Sequence, residues 1–108
     1  MTVATRRQKI EEMLLSEPND VFLRYSLAME LSKEGLLDQS LGLLRELSDG
    51  TPRYVPAFFR AAQLLAEHDD FDSARTFLRE GIEEARAQGD QHAAAEMGEM
   101  LSDLGAAG

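Results

Sequence analysis

Five consecutive residues, His68-Asp69-Asp70-Phe71-Asp72, put an imidazole and three carboxylates within one short stretch. Oxygen-rich loops bind calcium or magnesium, and histidine can join such a set. The spacing differs from a calcium loop, which alternates oxygen ligands and closes on a distant Glu. Asp70 and Asp72 also fit a simpler role at the start of a helix, as cap and dipole partner. His92 stands near Asp90 at the start of another helical stretch. Acid–base chemistry there would need a second group within hydrogen-bond reach, and the local sequence offers none. The pairs Glu11-Glu12 and Glu83-Glu84 read as solvated helix faces. With no cysteine in the chain, disulfides, thiolate metal sites and cysteine nucleophiles are excluded. No Gly-rich phosphate loop, zinc motif or serine elbow appears. The expectation is therefore a non-enzymatic protein with no cofactor and no metal.

Charge narrows the partners. The formal net charge is −9, from 20 acidic and 11 basic residues. Nucleic-acid binding depends on Lys and Arg neutralising phosphates, and anionic membranes attract the same residues. Neither suits this field; a basic or apolar protein partner does, while the charge also keeps a small protein soluble. Lys9 and Lys33 are the only lysines, a composition that fits a GC-rich or a high-salt host without separating them. Met1 to Lys9 has no apolar run after its basic residues, so no secretory signal is expected. No segment approaches the ~20 apolar residues of a membrane span. The expected location is cytoplasmic.

The elements that must position any site are helices. In the first stretch, about Thr2 to Ser16, Ile10, Met13 and Leu14 share one helical face. Glu17-Pro18 ends it, because a residue before proline is pushed out of the helical region. Asn19-Asp20 caps a second helix running to about Glu34, with Leu23, Leu27, Ala28 and Leu31 inward and Gly35 as C-cap. A third runs from Leu37 to Asp49 on Leu37, Leu41, Leu44 and Leu47, with Ser40 small where helices approach. The fourth starts near Pro56, ends near Glu67 and buries Ala61, Ala62 and Leu65. The fifth covers Phe71 to Ala87, with Phe71, Ala74, Leu78 and Ile82 inward. Gly81 lies within it at a cost of about 1 kcal/mol against alanine, and close approach of the next helix is the expected reason. The sixth spans about Asp90 to Leu104 on Ala93, Ala94, Met97, Leu101 and Leu104, and the tail from Gly105 to Gly108 is expected to fray.

Sliding the sequence against itself by 34 residues aligns two copies of one unit. Pro18 falls on Pro52, Val21 on Val55, Ala28 on Ala62 and Leu31 on Leu65. Asp38 falls on Asp72, and Leu44-Arg45-Glu46 on Leu78-Arg79-Glu80. A helical repeat of this size means stacked helical hairpins, each covering the apolar face of the last. Ile10 and Met13 lie one period before Leu44 and Leu47, so the first helix is a half-repeat whose role is to cover the end of the stack.

These residues resemble the tetratricopeptide repeat family. Leu27, Ala28 and Leu31 match its first-helix core, as do Ala61, Ala62 and Leu65 one period later. Ser40 and Ala74 take the small place in the second helix, Leu44 and Leu78 the large one, and Pro52 closes the first repeat. Arg24 and Phe58 stand where the family often has Trp. Arg86 replaces the second closing proline, so the fifth helix is expected to run long. The resemblance implies an all-α fold of antiparallel hairpins stacked as a short right-handed α-solenoid of about six helices. The expected organisation is one domain: a capping helix over 1–17, repeats over 19–54 and 55–88, a second capping helix over 89–104, and the tail 105–108.

In proteins of this kind, the first helix of each repeat lines a groove that holds an extended peptide. Carried over, the groove is Phe22, Tyr25, Ser26, Met29 and Lys33 from one repeat and Phe59, Arg60, Gln63 and Glu67 from the next. The members that clamp a chaperone's terminal carboxylate use paired Lys and Asn at places held here by Tyr25, Met29 and Arg60. What remains is an aromatic and thioether surface suited to apolar side chains. Arg60 and Lys33 are the cations available to a ligand carboxylate. The simpler reading of Phe22, Tyr25, Met29 and Phe59 is packing between helices. The function expected is a scaffold or adaptor for a partner peptide. The alternative is self-association as a homodimer, since two complete repeats fall short of the three usually needed for stability.

Overall fold

The computed structural model describes residues 4–105, and these form six α-helices with no strand among them. The helices are α1 (Arg6–Ser16), α2 (Val21–Lys33), α3 (Leu37–Ser48), α4 (Val55–Glu67), α5 (Phe71–Ala87) and α6 (Gln91–Gly105). Each packs chiefly on its neighbours in sequence, and α6 also reaches α4. The result is an elongated body of 51 × 29 × 19 Å, an all-α helical repeat. None of the described helices is long and apolar enough to cross a membrane.

Local chemistry sets where each helix begins. Helix α1 starts at Arg6, later than the pattern from Thr2 implied, because Thr5 closes a capping box with Gln8. The Gln8 N–H donates to Thr5 Oγ1 and the Thr5 N–H to Gln8 Oε1, which satisfies two otherwise unpaired donors. Asp20 caps α2 by accepting from the Leu23 N–H at 2.8 Å. Asp70 caps α5 by accepting from the Ser73 N–H.

Three of the turns close in the same way. After α2, α4 and α5, the residues Gly35, Asp69 and Gly89 take positive φ, at 80°, 62° and 79°. In each, the next residue's N–H reaches back to a carbonyl in the last helical turn: Leu36 to Leu31, Asp70 to Leu65, Asp90 to Ala85. This is the left-handed closure that favours glycine, and Asp69 adopts it without being glycine. The link from α3 to α4 differs: Thr51-Pro52 is a cis peptide, and the Tyr54 N–H donates to the Leu47 carbonyl.

The core runs through α2 to α6. Ala28, Leu44, Phe58, Ala61, Ala62, Ala74, Leu78 and Met97 are fully enclosed. The alanines let the helices approach, and Leu44, Phe58 and Leu78 fill the space between them. Ser40 is also fully buried, and its Oγ donates to the Ala28 carbonyl at 2.7 Å, tying α3 to α2. Phe77 packs edge-on to Phe58, with the Arg45 guanidinium over its outer face.

Helix α1 is held more lightly. It contributes Ile10 as its one buried residue and packs chiefly on α2. Arg6 bridges to Glu30 at 2.7 Å and Arg7 to Glu34 at 2.6 Å. Met13, expected on the buried face with Ile10, is 49% exposed. Its counterpart one period on, Leu47, is 3% exposed. The difference is cover: α3 packs on both α2 and α4, whereas α1 packs chiefly on α2. Residues 1–3 and 106–108, where the start of the first helical pattern and the fraying tail were expected, lie outside the described residues.

Candidate functional site

The expected groove residues fall in two places and a bridge between them. Phe59, Arg60, Gln63 and Glu67 of α4 line one open pocket of about 540 Å³, together with Ala66 and with Met100 of α6. Periodicity explains the grouping, because these residues of α4 lie three and four apart on one face. Met100 was not among the expected groove residues. Its signal lay in the sequence, since Met97 and Leu101 flank it on the inner side of α6, but no third repeat marked its register.

Phe22 and Ser26 lie elsewhere. They face α1, in a shallow pocket shared with Ile10, Met13 and Leu23, and Phe22 is 69% exposed. Tyr25 forms the bridge between the two places. Its ring meets Tyr54 edge to face at 5.5 Å between centroids, and it lies close enough to Arg60 to feel that charge. Met29 is half-buried, and its carbonyl accepts from Ser32 Oγ.

The cations are in unlike states. Lys33 is exposed and pairs with Glu30 at 3.5 Å, beside Arg6 on the same carboxylate. Arg60 has no carboxylate within ion-pair distance among the described residues. Its two terminal nitrogens reach Gln63 Oε1 at 3.3 Å and Ser32 Oγ at 3.5 Å, both long. Its Nε is buried with no hydrogen-bond partner. A buried donor left unmade costs about 1–3 kcal/mol, so this guanidinium has capacity for an acceptor. Burial pushes the Tyr25 phenol above its ordinary value of 10.0, against the pull of the Arg60 charge, and Tyr54 adds to the rise.

The acidic turn is engaged in local structure. Asp70 caps α5, Asp72 pairs with Arg75, and the Arg75 guanidinium also donates to the Leu104 carbonyl. His68 Nδ1 lies 2.9 Å from the Leu64 carbonyl. Among the described residues, no three metal-ligating side chains gather around a common point. His92 is exposed and pairs with Glu96, one turn along α6.

Three solved structures are similar in fold. The solution structure of a tetratricopeptide repeat domain protein from Salinibacter ruber is 32% identical, covers 81% of this chain and 88% of its own, and superposes with a TM-score of 0.76. A crystal structure of a tetratricopeptide repeat domain protein from the same organism is 31% identical over 82% of this chain and 98% of its own, with a TM-score of 0.73. A protein of Bordetella parapertussis, solved in solution, is 25% identical over 95% of this chain and 90% of its own, with a TM-score of 0.80. No family model matches the chain, and no curated protein matches it.

Proposed function

The chain belongs to the tetratricopeptide repeat family, a class of protein–protein interaction modules, and from that premise we propose that it holds an extended partner peptide against α4 and α6. The observation that carries this reading is the state of Arg60. A cation with a buried, unpartnered Nε lines an open pocket whose other walls are Phe59, Ala66 and Met100. Such a pocket accepts an apolar side chain, and Arg60 meets a neighbouring carboxylate of the same peptide. The net charge of the molecule, −9, favours a peptide that is otherwise basic or apolar.

The role is that of a scaffold. Its acid–base groups serve structure: Asp70 as a cap, Asp72 in an ion pair and His92 beside Glu96.

The test is selection from a displayed library of random peptides with the wild-type chain, a Phe59→Glu variant and an Arg60→Met variant, each shown folded by circular dichroism. Enriched peptides are expected to share an apolar residue near a carboxylate. Phe59→Glu is expected to lose them all, and Arg60→Met to lose the preference for the carboxylate. Identical enrichment by all three chains, or none by the wild type, overturns the reading.

A further inference from the structure

At the other end of the helix order lies a surface that the peptide pocket does not use. Met13 and Phe22 are two of the few large apolar side chains left exposed, at 49% and 69%. They sit together, with Leu23, at the junction of two shallow depressions between α1 and α2. One depression is bordered by Arg6 and Lys9, the other by Glu17 and Asp20. The patch is therefore apolar at its centre, positive at one end and negative at the other.

The order along the chain follows the same polarity. Lys9 and Met13 lie one turn apart on α1, and Glu17 is the residue that caps its C-terminal end. Lys9 and Glu17 stand roughly 12 Å apart, with Met13 midway. Neither makes an ion pair within the chain among the described residues, although Arg6 and Arg7 beside them both do.

A stripe that reads cation, apolar, anion is complementary to itself when turned end for end. A two-fold axis beside Met13 sets Lys9 of one chain against Glu17 of the other, and Glu17 against Lys9. The same operation stacks the two Met13–Phe22 centres and removes both from water. Closed two-fold pairing is the usual way identical chains associate, and a contiguous exposed apolar patch marks such contacts. A wholly basic or wholly acidic partner would meet like charge at one end. We propose that the α1–α2 face is a homodimer interface, with a second copy of this chain as its occupant.

The face is small. Two short helices side by side present roughly 20 Å by 20 Å, less than the ~800 Å² per partner of a standard stable interface. An interface of that size belongs to the weak, transient class.

The test is sedimentation equilibrium of the full chain from about 1 to about 500 µM, a range that covers weak association. Wild type is expected to pass from monomer to dimer. Phe22→Glu places a charge at the centre and is expected to weaken the dimer at least ~100-fold. Lys9→Glu and Glu17→Lys, both on exposed residues, are each expected to weaken it ~10-fold. The double reversal, Lys9→Glu with Glu17→Lys, is expected to return it to within about threefold of wild type, because each chain then offers the other the opposite pair. A monomer throughout the range overturns the proposal and leaves the patch for a different protein. A dimer indifferent to Phe22→Glu, or a double reversal without rescue, overturns it as well. Peptide selection at Arg60 reads a separate face, so either proposal can fail alone.

Discussion

Gly81 of α5 lies so close to Phe58 of α4 that a Cβ on the glycine would stand 2.7 Å from the Phe58 Cβ. The same atom would lie 2.6 Å from the sulfur of Met97 on α6. This glycine is where three helices meet.

Gly81→Ala is therefore expected to destabilise the fold. Alanine gains about 1 kcal/mol of helix propensity. Against that stands overpacking of a closed core, typically 1–3 kcal/mol. Met97 is flexible enough to withdraw, but the Phe58 Cβ is fixed to its backbone, and both residues are fully buried. The steric cost wins, with a net loss of about 1 kcal/mol in urea unfolding. Adding Met97→Ala relieves only the sulfur contact and deepens the loss by opening a cavity. A Gly81→Ala chain more stable than wild type would mean that α4 and α5 separate easily.

Asp69 offers a change of opposite sign. It lies one 34-residue period after Gly35, and both take positive φ in the same turn. Gly35 has no Cβ to strain, whereas Asp69 does. Asp69→Gly is expected to raise stability by about 0.5–1 kcal/mol, despite the greater freedom glycine brings to the unfolded chain. Asp69→Ala keeps the strain and is expected to gain nothing. Denaturant midpoints of the three chains order the two effects.

Much of this architecture was legible, and what escaped has a physical reason. Ser40 and Gly81 stood out as small residues in helical stretches, and the structure puts a helix against each. Leu44 and Leu78 were legible because the period repeats a large residue where the core is deepest. The site was legible only in part. Periodicity gives the face of a helix but not which neighbour stands opposite that face. Phe22 and Phe59 were both expected in one groove, yet one meets α1 and the other α6. Tyr54 was missed as the partner of Tyr25 because it sits in a linker, outside any helical register. The exposure of Met13 was missed because a periodic stripe does not record whether a helix has one neighbour or two.

Tyr25 makes the site visible to titration. Its phenol is expected to ionise above 10.0, because burial disfavours the phenolate. The folded chain then holds this proton at pH values where the unfolded chain has released it. The stability it contributes is present below about pH 10 and is lost as pH rises through the folded value. Absorbance titration of the wild type against Tyr25→Phe isolates the group, since the chain has two tyrosines. Arg60 pulls the phenol downward, so Arg60→Met is expected to move Tyr25 higher still. No movement would mean that the two side chains do not share a surface.

Arg60→Met also separates binding from stability. The side chain's stem can be replaced by methionine, which fills a similar apolar volume. What is lost is a guanidinium whose Nε lacks a partner and whose other contacts, at 3.3 and 3.5 Å, are long. Two weak hydrogen bonds contribute less than the ~1–3 kcal/mol that a buried unmade donor costs. The variant is expected to be as stable as wild type or up to about 1 kcal/mol more so, by denaturant unfolding. A residue retained for structure would show the reverse, a loss of more than about 1 kcal/mol on truncation. Stability kept or raised together with weakened peptide capture is the pattern expected where a binding site holds a polar group ready for its ligand.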